Sequence, residues 1–227
     1  MKILFFLFYS IISFAQHSGV VNYKVLMPLN SKAIGTSTES FFNDVKKIGD
    51  SYHYTLEFNT TQSHFFLNEI MKKDQDVKNE IAASVASILI GESNYYDRKK
   101  KISVNENNQG VLLEDKFDKV WEISTESKTI QNYLCYKATY IKYYVKNENT
   151  TSRVITAWFA PSLPYSFGPK GYNGLPGLVL ELNEKDIVLF VDTITIQEKP
   201  IEIKFPKGKI ITEEDYLRNA SYYSPKQ

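Results

Sequence analysis

Three histidines, one cysteine and a short run of carboxylates are the side chains from which this chain would build metal, nucleophilic or acid–base chemistry. His53 and His64 fall on separate expected strands and His17 stands near the N-terminus. A metal site needs a third ligand and groups that fix each ligand's orientation, so surface or half-buried histidines are the reading favoured here. Cys135 is the only cysteine, which rules out an intramolecular disulfide. It has no neighbouring histidine or glycine-rich helix start to activate it, and is expected to be buried as a small hydrophobe. Glu213-Glu214-Asp215 suits the first turn of a helix, where the macrodipole favours anions without any catalytic role. The chain carries no Gly-x-Ser-x-Gly elbow, phosphate loop, His-Glu-x-x-His or paired-cysteine motif. No cofactor is expected. The sequons at Asn59, Asn149 and Asn219 matter only in a eukaryotic secretory pathway.

One stretch offers contact surface instead of chemistry. Trp158, Phe159, Pro161, Pro164, Tyr165, Phe167, Pro169 and Tyr172 place aromatics among prolines, just before Gly174, Leu175, Pro176 and Gly177. Aromatics on a rigid loop lose little entropy on binding and make good contacts. The competing account is structural: the prolines and glycines turn the chain over one end of a sheet and the aromatics plug its core. The structural account is favoured. Leu175-Pro176-Gly177 predicts a type II turn, with proline at the first central position and a positive φ at Gly177. Leu178, Leu180 and Leu182 then alternate with Val179, Glu181 and Asn183, predicting a strand with one buried face.

Gly174-Leu175-Pro176-Gly177-Leu178-Val179 resembles the signature of the GLPGLI family, exported proteins of Bacteroidota-type bacteria with no defined biochemical role. Val179 stands where the family name has isoleucine, a conservative change for a buried β-branched site. Thr156-Ala157-Trp158-Phe159-Ala160-Pro161, Cys135-Tyr136-Lys137-Ala138-Thr139 and the stretch from Gly208-Lys209 to Tyr216 also look like the family. The resemblance covers most of the chain after its first residues. It implies export and brings no catalytic residues with it.

The elements that must position these residues are mostly strands. Sixteen tyrosines and fourteen phenylalanines in 227 residues favour β structure, and a chain of this size buries an adequate core as one domain. A net charge of +1 gives no reason to expect nucleic acid as a partner. Lys2, an apolar run over 3–14 and Ser13-Phe14-Ala15 read as a secretory leader over 1–15, leaving one domain over 16–227. Gln16, not cysteine, follows that site, so no lipoprotein anchor is expected. No later segment is long and apolar enough to span a membrane.

Alternation predicts strands over 20–27, 39–48, 52–58 and 63–67, joined by polar turns as a meander. Over 76–90, Val77, Ile81, Val85, Ile88 and Leu89 recur at helical spacing, with Asp74 or Asp76 able to cap the start and Gly91 the end. Lysines and arginines are too few on its polar face for a membrane-surface helix. The cations over 98–101 read as a solvated turn. Later strands are expected near 95, over 111–114, 120–123 and 132–145, then over 153–159 and 187–197, with Pro200 and Pro206 interrupting the strand character beyond.

The expected fold is mainly β with one helix: a curved antiparallel sheet or half-barrel packed on that helix, with a closed or flattened barrel as the alternative. The leading functional expectation is an exported, non-enzymatic binding or accessory protein of the periplasm or cell envelope. It would hold an apolar small molecule or an envelope protein between the sheet and the loops after Trp158. A hydrolase-like site assembled from Glu181 with His53 or His64, and a structural envelope component, are the alternatives.

Overall fold

The computed structural model describes residues 18–28, 36–68, 77–91, 93–107, 109–146, 149–184 and 187–218. The expected leader, His17, the helix caps at Asp74 and Asp76, and the tail from Asn219 lie outside these residues.

In chain order the elements are β1 (Ser18–Leu26), α1 (Thr36–Asp50), β2 (His53–Phe58), β3 (Gln62–Leu67), α2 (Val77–Ile90), β4 (Ser93–Asp97), β5 (Ile102–Glu106) and β6 (Leu112–Glu114). There follow β7 (Glu122–Ile130), β8 (Tyr133–Lys146), β9 (Asn149–Ala160), β10 (Leu178–Glu184), β11 (Ile187–Gln197), β12 (Ile210–Ile211) and α3 (Glu213–Arg218). All twelve strands lie in one sheet, in the order β12-β6-β5-β4-β3-β2-β1-β11-β10-β9-β8-β7. Neighbours are antiparallel except β12 and β6, so the sheet is mixed. It is open, ending at β12 and β7, and this corrects the closed-barrel alternative.

Three helices, not one, accompany the sheet among the described residues. The strand expected over 39–48 is instead part of α1. Phe41, Val45 and Ile48 recur at four and three residues and share one helix face. Strand alternation would have put Asp44 and Lys46 on one face and Asn43 and Lys47 on the other, spoiling both. Glu39 lies in the first turn and Lys47 in the last, each matched to the helix macrodipole.

The second helix falls where the periodicity places it but buries a different face. Ala82, Ala86 and Ile90 are fully buried, while Ile81 and Ile88 are exposed. Close packing explains the choice of small side chains. A Cβ on Gly49 of α1 would lie 2.0 Å from Met27 Sδ and 3.4 Å from Ile90 Cδ1, so α1, α2 and the end of β1 meet with no space for larger groups. Tyr52 Oη and Tyr54 Oη donate to the carbonyls of Ala83 and Gly91 and tie α2 to the sheet.

The core is continuous from these helices to β10. Leu178, Leu180 and Leu182 are buried as expected, each worth about 1.5–3 kcal/mol on leaving water. Val179 is buried too, because residues 163–168 fold over it: its N–H donates to the Phe167 carbonyl and its own carbonyl accepts from Tyr23 Oη at 2.6 Å. A register shift between Val179 and Glu181 against β9 marks a bulge.

The turn chemistry of the glycine–proline corner differs from the expected type II turn. Positive φ occurs at Lys170 (55°), Gly171 (72°) and Gly174 (96°), and Gly177 is not among these residues. Gly177 is required for closeness instead: a Cβ there would sit 2.3 Å from the Ala160 carbonyl oxygen. The corner is fixed by backbone approach to the end of β9.

Candidate functional site

The aromatic corner folds onto itself. Phe159, Phe167, Tyr172, Leu175 and Gly177 are buried, Trp158 and Tyr165 are half-buried, and Pro161, Gly174 and Pro176 are exposed. Tyr165 and Phe167 pack against Phe58, at 4.8 and 5.3 Å between ring centroids. Trp158 lies on the opposite face of the sheet, with Lys128 Nζ 4.4 Å from its ring centroid. The corner's aromatics therefore complete the core and leave little free surface.

The histidine, cysteine and carboxylate candidates stay apart. His53 pairs with Lys24 across β1 and β2, while His64 pairs with Glu57 across β2 and β3. His64 stacks at 4.1 Å on Tyr95, and burial pushes its imidazole down to about 4. Glu181 is held by Lys128 at 2.7 Å, so it joins neither histidine. Cys135 is buried, and burial raises its thiol to about 11, well away from a reactive thiolate. The cations at 98–101 form an exposed turn, and Glu213, Glu214 and Asp215 open α3. Among the described residues, no three His, Cys, Asp or Glu side chains converge as metal ligands.

A different set of residues does converge. Between β8, the end of β10, the turn at 169–171 and the strands β5 and β6 lies a cavity of about 490 Å³. Lys119, Lys142, Lys170, Asp115, Glu184 and Tyr172 line it, with Glu213 and Tyr216 of α3 at its side. A larger depression of about 740 Å³ adjoins it and shares Asp115 and Glu213.

Glu184 is the centre of this set. It ends β10 on the same side as the buried leucines, where water is scarce. Lys170 Nζ forms an ion pair with one oxygen; Tyr172 Oη donates to the other at 3.0 Å, with Tyr144 Oη at 3.5 Å. Burial alone would raise its pKa, but the Lys170 and Lys142 ammonium groups outweigh that and hold it below the usual carboxylate range. Burial and the adjacent anion together push the Tyr172 phenol far up, so it stays a donor. Lys170 reaches Glu184 from a left-handed backbone conformation, φ 55° and ψ 30°, an uncommon one for a residue with a Cβ.

Asp115 anchors the second half. Lys119 Nζ donates to its carboxylate at 2.8 Å and to the Lys116 carbonyl at 2.7 Å, and Ser103 Oγ donates to the same Asp115 oxygen at 2.8 Å. Burial lowers the Lys119 pKa, against the pull of Asp115. Gly171 is needed beside this network, since a Cβ there would lie 2.6 Å from Asn94 Nδ2 and 2.8 Å from Asp115 Oδ2.

Lys142 stands between the two halves. Its ammonium lies 5.3 Å from the Tyr144 ring centroid and 6.0 Å from that of Tyr172. Burial would lower its pKa, but Glu184, Tyr144, Asp115 and Glu213 outweigh this and raise it, so the group is a firm cation. Chemically the cleft can donate through its ammonium groups: Lys119 and Lys170 are engaged with Asp115 and Glu184, Tyr172 and Tyr216 spend their hydroxyl hydrogens on Glu184 and Gln109, and Lys142 has no carboxylate in ion-pair range among the described residues.

Residues 121–181 match the profile of a family described as "Protein of unknown function (Porph_ging)". The matched segment runs from Trp121 through the glycine–proline corner into β10, and so includes Lys142, Lys170 and Tyr172. No curated protein matches the chain. Two solved structures of PNGF-II, in space groups P21 and C2, match 91% of it with a TM-score of 0.53 and 16% identity. The chain spans about a third of their length, 34% and 33% respectively. At that identity the likeness is one of fold, and a family of undefined role matches the very segment that builds both the corner and one wall of the cleft.

Proposed function

We propose that the chain is an exported, non-enzymatic binding or accessory module of the bacterial envelope, and that its ligand occupies the polar cleft around Glu184, not the aromatic corner. Export is supported by Lys2, the apolar run over 3–14 and Ser13-Phe14-Ala15, and by the GLPGLI-type stretch at 174–179 within the segment matched by the family profile. No helix among the described residues is long and apolar enough to cross a membrane.

The carrying observation is the contrast in exposure. The aromatics expected to hold an apolar ligand are spent on the core, whereas the cleft presents the Lys142 ammonium, with no carboxylate in ion-pair range among the described residues, beside open volume. Native mass spectrometry tests this on the full chain produced with its leader in a bacterial envelope. A bound species released from the wild type and lost from a folded Lys142→Gln variant, with cleavage after Ala15, is the expected result. Identical spectra from both proteins would remove the cleft as the site.

A further inference from the structure

We infer that the β8–β9 margin of the cleft takes an anion, a carboxylate or phosphate group seated against Lys142, which lines the cleft, and Arg153, which stands exposed just outside it, beside the Tyr144 ring. This rests on the reading of the cleft as a ligand site and adds the chemical class of the ligand.

The two cations are direct cross-strand partners: Lys142 of β8 lies opposite Arg153 of β9. Like charges placed opposite each other on one sheet face destabilise the pair. Both approach one ring, with Lys142 Nζ at 5.3 Å and Arg153 Cζ at 5.0 Å from the Tyr144 centroid. Two other cations of β7 and β8 are balanced: Lys128 pairs with Glu181 at 2.7 Å and Lys137 with Glu126 at 3.0 Å. Among the described residues, neither Lys142 nor Arg153 has a carboxylate within ion-pair distance.

The nearby acids are already occupied. Glu184 is engaged by Lys170 and Tyr172, and Asp115 by Lys119 and Ser103. Glu213 lies at the exposed mouth. Lys142 lines the cavity and Arg153 stands exposed beside it; together with Lys119 and Lys170 they set four cations against the three acids Asp115, Glu184 and Glu213, an excess of one positive charge that an entering oxyanion offsets. Arginine supplies a planar two-pronged donor and lysine a point charge, an arrangement suited to a carboxylate or a phosphate.

The test is calorimetric titration of the full chain with inorganic phosphate and, separately, with succinate, at low and at physiological salt. Saturable binding of either probe is expected, weakening as salt rises. Lys142→Gln and Arg153→Gln should each weaken it by about tenfold or more, the loss of one charge-assisted hydrogen bond. Lys137→Gln, whose lysine is paired on the opposite face of β8, should change it by less than about twofold. Binding of phosphate alone assigns a tetrahedral oxyanion, and of succinate alone a carboxylate. A rise in Tm on adding the bound probe, present in the wild type and absent from Arg153→Gln, is the second readout. Absence of saturable binding up to about 10 mM, or equal binding by the variants, overturns the inference. If native mass spectrometry still finds an uncharged species that depends on Lys142, the cleft reading survives and only the anion is wrong.

Discussion

The aromatic and glycine–proline corner over 161–177 and the Lys142–Arg153 pair on β8 and β9 are built on opposite terms. In the corner every aromatic has found a neighbour: Tyr165 and Phe167 lie on Phe58, and Tyr172 lies edge-on to Trp121 and Tyr140. At the cationic pair, two like charges are left facing each other at the margin of an open volume. The corner's rings are all packed, whereas the pair's charges meet no carboxylate among the described residues. Sequence distinctiveness here marks a packing constraint, and the unfinished chemistry lies in residues that look ordinary along the chain.

Substitutions separate the two regions. The largest effect is expected at the strand the corner feeds: Leu180→Ala should destabilise the fold by about 2–5 kcal/mol, read as a fall in the urea midpoint with the m-value unchanged. Gly177→Ala comes next at about 1–3 kcal/mol, because its new methyl must displace the Ala160 carbonyl. A neutral Gly177→Ala would show that the close approach is not needed. Trp158→Ala should cost about 1 kcal/mol, the half-buried ring losing its packing and its contact with Lys128. Smallest is Arg153→Gln, within about 0.5 kcal/mol in either direction and toward gain if relief of repulsion dominates.

Acid sharpens the contrast by shape instead of size. Glu184 has a folded pKa below its unfolded value, so its contribution is present above the ordinary carboxylate pKa of about 4.3 and is lost as pH falls through the folded one. His64 is depressed from 6.5 to about 4, so the unfolded chain binds the extra proton between those values and stability falls across that window as pH drops. Thermal melts from pH 7 to 3 should therefore decline in two stages. His64→Phe removes the upper stage and Glu184→Gln shrinks the lower, to which the hydrogen-bonded Asp97 carboxylate also contributes, whereas Gly177→Ala lowers the whole curve without changing its form. Corner variants that altered the curve's form would undo the distinction between the regions.

Much of the sheet is legible because alternation is a strong local signal: Tyr54, Leu56 and Phe58, then Leu178, Leu180 and Leu182, are buried as their spacing implies. The first helix escapes a reading by alternation, although Phe41, Val45 and Ile48 step by four and three residues. The second is legible, but its buried stripe follows the alanines, a choice imposed by a neighbouring helix that periodicity alone does not specify. The cleft is hidden because Glu184 reads as a hairpin turn residue and Lys142 as one cation in an aromatic strand. A signal is present nonetheless. Ala138, Tyr140, Lys142 and Tyr144 share one face of β8, so a lysine stands on the face that otherwise packs inward. The register that pairs Lys146 with Asn149 then sets Arg153 opposite Lys142.

One pairing bears on how such a chain reaches its native state. The first described strand closes against the eleventh, Ser18 against Gln197 and Leu26 against Val188, at the middle of the sheet. The left wing, β2 to β6, and the right wing, β7 to β10, are joined through that seam. A chain emerging N-terminus first therefore carries β1 with one flank unpaired until almost all of it is available, and loop-closure entropy makes such a step slow. An exposed edge held open for that long is an invitation to a chaperone, or to a neighbouring copy, during the interval before the seam zips shut.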